Sequence, residues 1–189
     1  MCAICDLRIE FGVDHPMSLS VAVATRQAID NRSLLPTVIG AETLAGMPLR
    51  QAAIASLKSV QRRLEAVLSP PELRDLPDFF VLMVESGTWA FFRATEAGFD
   101  PTCIPDPPRL SADNPTDRAA VIVTSETTLR PMLVGKCSFE QALRQGLIVV
   151  DADFARQIPL TQAWSSSFPI RGFSRFVCTS WVSEPEPVA

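Results

Sequence analysis

The chain has 189 residues, 47% of them hydrophobic and 20% charged, with a formal charge of −4. That length and apolar content suit one domain with its own core and exclude a disordered chain. The acidic balance, with no basic cluster beyond Arg62 and Arg63, argues against nucleic acid as a partner.

The opening "MCAICDLRIEFGVDH" carries acids among its apolar residues and lacks the basic and continuous apolar regions of a signal peptide. No run reaches the roughly 18 uninterrupted apolar residues of a membrane span. A cytoplasmic location without integral membrane association is therefore expected. Cys2, Cys5, Cys103, Cys137 and Cys178 are an odd set, and reduced thiols are the expectation.

Residues 18–31, "SLSVAVATRQAIDN", predict a helix capped by Ser18 with Leu19, Val23, Ala24 and Ala28 on its apolar face, although Val21 and Val23 also alternate as in a strand. A second helix begins near Pro48, and Ala53, Ile54, Leu57, Val60, Leu64, Val67 and Leu68 form its stripe. Pro70 and Pro71 end it. Residues 78–95, "DFFVLMVESGTWAFFRAT", then predict a β-hairpin turning at Ser86-Gly87, with Phe79, Val81 and Met83 on one face and Phe80, Leu82 and Val84 on the other.

The proline-rich stretch from Glu96 to Asp117 reads as a long surface loop, either a cover over a site or an ordered crossing. "AAVIVT" is a buried strand; Ser125 caps a helix that Gly135 ends, and Ser138 with Gln141 forms a capping box for a second helix that Gly146 ends before the strand "LIVV". A last helix over 151–168, capped by Asp151 or Asp153 and kinked at Pro159, uses Phe154, Ile158, Trp164 and Phe168 as apolar contacts. Residues 169–189 form an edge strand or a docked tail with a frayed end.

The order of these elements, with Trp89 in the hairpin, Gly135-Lys136 after a helix, and the run from Phe139 through Ala142, Leu143 and Gly146 to Asp153, resembles the sterol carrier protein family over residues 77–168. The resemblance implies an α/β domain of α+β type: a mainly antiparallel sheet of about five strands, helices packed on one face, and an apolar tunnel between them. Residues 1–76 then form an N-terminal helical extension. It also implies a non-catalytic carrier of fatty acyl, sterol-like or other apolar small molecules. The proline-rich stretch replaces the glycine- and lysine-rich turn usual between the second and third strands of that family.

Candidate lining residues are Phe79, Val81 and Met83 with Trp89 and Phe91 opposite, Met132 and Leu133, Phe139, Ala142 and Leu143, and Trp164 and Phe168. The same residue types also fill ordinary cores. Arg130, Lys136 and Arg144 can meet an acidic head group or form a solvated face.

The rival reading is a small metalloprotein or enzyme. Cys2 and Cys5 form a C-x-x-C, and His15, the only histidine, supplies a third ligand for zinc or iron. A fourth ligand with paired spacing is missing, so no cofactor is the leading expectation. Serine-hydrolase and nucleotide motifs are absent: there is no G-x-S-x-G, no G-x-x-x-x-G-K-[ST] and no G-x-G-x-x-G. A third reading is an interaction domain in which the helix over 48–68 forms a homodimer.

Overall fold

The computed structural model describes residues 14–36, 47–112 and 114–170. Among them the chain runs α1 (Ser18–Asp30), α2 (Met47–Val67), α3 (Pro70–Arg74), β1 (Phe79–Met83), β2 (Thr88–Phe92), β3 (Ala94–Thr95), β4 (Gly98–Phe99), β5 (Ala120–Thr124), α4 (Glu126–Leu133), α5 (Phe139–Arg144), β6 (Val149–Asp151) and α6 (Phe154–Ser167). The fold is mixed α/β. Its main sheet has the order β2-β1-β5-β6, and β3 and β4 form a separate small hairpin.

The pairs β1–β2 and β5–β6 are antiparallel, whereas the central pair β1–β5 is parallel. Every residue of β1 and of β5 is buried, which is why "FFVLM" and "AVIVT" read as unbroken apolar runs instead of alternating ones. One face carries Phe79, Val81, Met83, Ala90, Phe92 and Ile122 against helices α2, α4, α5 and α6. The opposite face is smaller: Phe80, Leu82, Trp89, Val121 and Val123 pack with Val21 of α1.

Aromatic rings lock the larger face. Phe79 stacks on its cross-strand partner Phe92 at 4.9 Å, and Phe99 meets both edge-on. Trp164 lies between Phe139 (5.6 Å) and Phe168 (5.2 Å). Helix α2 contributes Ala53, Leu57, Val60, Leu64 and Leu68 to the same core, so this helix shares the core of the sheet.

Local chemistry sets the helix ends. Ser125 Oγ accepts the Thr128 N–H as expected from sequence, and Ser138 Oγ accepts the Gln141 N–H, the first half of the expected capping box. Asp153, not Asp151, caps α6 through the N–H groups of Ala155 and Arg156. Pro159 lies inside the continuous α6, while Phe154 and Ile158 of that helix are exposed instead of making the expected contacts. The Pro70-Pro71 pair that stops α2 also starts α3.

Helix α1 departs from its predicted face. Its N-cap is Met17, not Ser18, and the buried residues are Val21 and Thr25, while Leu19 and Val23 face water. Ala24 and Ala28 of the expected face do pack against the core, and Thr25 Oγ1 donates to Ser125 Oγ at 3.2 Å in the interior. The proline-rich crossing is also shorter than expected, because Gly98 and Phe99 form β4. Gly98 has φ +122°, and a Cβ there would stand 2.8 Å from Glu65 Oε1, the atom that accepts the Phe99 N–H. The end of the crossing is tied to α6 by Arg156, whose Nη2 donates to the carbonyls of Thr116 (3.0 Å) and Arg118 (2.7 Å).

Candidate functional site

A hollow of about 380 Å³ lies outside the core, between the exit of α1 and the outer side of α4 and α5. Three helix ends shape it. Helix α4 closes with a Schellman stop: Gly135, at φ +76°, donates to Met132 O (3.0 Å) and Lys136 donates to Pro131 O (2.8 Å). That turn directs Lys136 and Cys137 to the hollow's edge. The N-terminal turn of α5 leads to Gln141, and Gln145 caps its far end.

The facing wall comes from α1, which ends in the same motif without a glycine. Arg32 sits at φ +59°, its N–H donates to Ile29 O (2.9 Å), and Ser33 donates through its N–H (2.9 Å) and its hydroxyl (2.8 Å) to Ala28 O. The chain then leaves as Ser33-Leu34-Leu35-Pro36, and all four residues line the hollow. Leu34 is buried, but Leu35 is 84% exposed and, across the hollow, Val134 is 64% exposed.

Apolar walls thus come from Leu34, Leu35, Pro36, Pro131 and Val134, and polar groups from Ser33, Thr127, Arg130, Lys136, Gln141 and Gln145; no carboxylate of the described residues lines it. Behind the wall, buried Glu126 accepts from Arg130 Nε (2.9 Å) and from Ser56 Oγ (2.7 Å) through Oε1. The α4 N-terminus is already satisfied by a carboxylate, because Glu85 accepts the N–H groups of Glu126 and Thr127. Burial pushes the Cys137 thiol above its ordinary value, which keeps it protonated and unreactive at neutral pH.

Ten of the twelve lining residues read from the sequence come together on one side of the sheet, in and around its core. Phe79, Val81, Met83, Met132, Phe139, Ala142, Trp164 and Phe168 are fully buried in one packed cluster, with Leu133 and Leu143 at its margin. Trp89 and Phe91 lie on the other side of the sheet, because cross-strand partners share a face and these two pair with Leu82 and Phe80. None of the twelve lines the hollow at α4 and α5. Leu133 and Phe91 border two more open depressions elsewhere. The hollow's own residues are hard to find in sequence, since Leu34-Leu35 and Val134 are a hundred positions apart; Arg130 and Lys136 stand out there as head-group candidates, and Cys137 and Gln141 only for other reasons.

Cys2 and Cys5 lie outside the described residues. His15 is buried, with Nδ1 accepting the Met17 N–H (3.1 Å) and Nε2 lying 3.1 Å from Asp151 Oδ2, off line for a straight hydrogen bond. With Nδ1 as acceptor, the neutral ring carries its proton on Nε2, so neither nitrogen offers a lone pair to a metal or a serine in this geometry. Among the described residues no group of three or more His, Cys, Asp or Glu side chains is placed to hold a metal ion. None of the described helices is long and apolar enough to cross a membrane.

Comparison with known proteins gives no matching family model, and no significant match among curated proteins or solved structures.

Proposed function

We propose that this chain is a non-catalytic binding protein, acting in the cytoplasm, that holds an apolar or amphipathic small molecule in the hollow beside α4 and α5. The observation that carries this reading is a concavity of about 380 Å³ into which two exposed apolar side chains, Leu35 and Val134, project from opposite walls. Covering such surface stabilises a complex by roughly 25 cal/mol per Å² removed from water. The volume lies within the roughly 300–1,000 Å³ common for small-molecule sites. The resemblance of residues 77–168 to sterol carrier proteins supports the same ligand class. It is a lipid-like occupant, in a site displaced from the tunnel position that the resemblance implies.

The test is titration with N-phenyl-1-naphthylamine, a neutral dye that fluoresces in apolar surroundings. Saturable one-to-one binding is expected, weakened by about tenfold in Val134→Glu, which places a charge on the apolar wall. Val134 is exposed, so the substitution spares the core. Absence of saturable binding, or equal affinity in the variant, would overturn the reading.

A further inference from the structure

We infer that the polar end of the occupant is a carboxylate, received by Lys136 at the rim of the hollow. This rests on the reading of the hollow as an apolar-ligand site and adds the chemistry of the head group. The argument is one of charge. Two cations, Arg130 and Lys136, border the hollow, and among the described residues no acidic side chain lines it. Arg130 is already balanced, because its Nε donates to buried Glu126 at 2.9 Å. Lys136 is exposed and has no ion-pair or hydrogen-bond partner through its side chain among the described residues.

The net charge that the described lining offers to a ligand is therefore a single positive one, which matches a monoanion better than a phosphate dianion. An ammonium group is a point charge with rotatable donors, suited to one carboxylate without the fork geometry that arginine imposes. The Gly135 stop fixes where Lys136 leaves α4, so its position does not depend on a mobile loop. Gln141 and Gln145 add amide donors from α5 on the same rim, and the apolar wall at Leu35 and Val134 receives the chain. An acyl chain with a free carboxylate meets both halves of the lining.

Displacement of N-phenyl-1-naphthylamine by decanoate, decanol, decylamine and decyl phosphate, in mildly alkaline buffer of low ionic strength, tests this directly. Decanoate should compete about three- to fivefold more strongly than decanol, the scale of one exposed charge pair, and the preference should shrink with added salt. Lys136→Gln should abolish the preference while decanol binds as before, and Lys136→Arg should restore most of it. Equal competition by decanoate and decanol, stronger binding of decylamine or decyl phosphate, or a preference that survives Lys136→Gln would each overturn the inference. Decanol binding without a decanoate preference overturns the head-group assignment alone. Failure of all four to displace the dye overturns the hollow as well.

Discussion

His15 Nε2 stands 3.1 Å from Asp151 Oδ2 and joins the entry of α1 to the end of β6. Burial lowers the ring's proton affinity and dominates, while the nearby Asp151 carboxylate raises it. The net shift is downward from the ordinary value of 6.5. The unfolded chain then binds more protons than the folded one between the lowered value and 6.5, so stability rises with pH across that window. The contribution is complete above 6.5 and declines as the pH falls below it. Urea midpoints measured on both sides of that window should be lower on the acid side for the native chain, and His15→Gln should flatten this difference. An undiminished pH dependence in the variant would refute the assignment to His15.

A second expectation concerns Met83, which sequence reasoning placed on a ligand cavity and the structure buries in the core. Met83→Ala should lower stability by about 2–5 kcal/mol, as for other buried truncations, and leave dye affinity in the folded fraction unchanged. A small loss of stability together with altered affinity would return the site to the sheet face.

Arg156 offers a third. One Nη2 serves carbonyls at Thr116 and Arg118 while Asp153 holds the guanidinium from behind. Arg156→Ala should cost about 2 kcal/mol and speed proteolytic cleavage within residues 100–119. Lysine should not rescue it, since a point charge cannot reproduce the fork. Unchanged cleavage in Arg156→Ala would show that the crossing is held by other contacts.

Arg32 is strained in a left-handed conformation that glycine adopts freely. Arg32→Gly should raise the thermal midpoint, by up to about 1 kcal/mol of stability after the unfolded-state entropy of glycine is deducted. Arg32→Val should lower it, and the reverse order would contradict the geometry.

Much of this fold is written locally. Ser125, Ser138, Gly135 and Gly146 each act within one turn of their own helix, so their roles are legible from a few adjacent residues. The parallel pairing of β1 with β5 is not, because two buried strands of similar composition carry no mark of their partner. The hairpin turn at Ser86-Gly87 is legible, although the full connection is the four residues Val84 to Gly87. The face of α1 was legible in part: Ala24 and Ala28 pack against the core, whereas Leu19 and Val23 face water and the polar Thr25 is buried against Ser125. The hollow needs three helix ends brought together from distant positions, and one of them ends on an arginine where a glycine would have signalled the stop.

The central claim is the location of the ligand, and methyl chemical-shift mapping during titration with decanoate tests it most directly. Saturable shifts at the methyl groups of Leu34, Leu35 and Val134, with Val81 and Ile122 unmoved, are the predicted result. Shifts concentrated at Val81 and Ile122 in the packed core, or none at all, would contradict it.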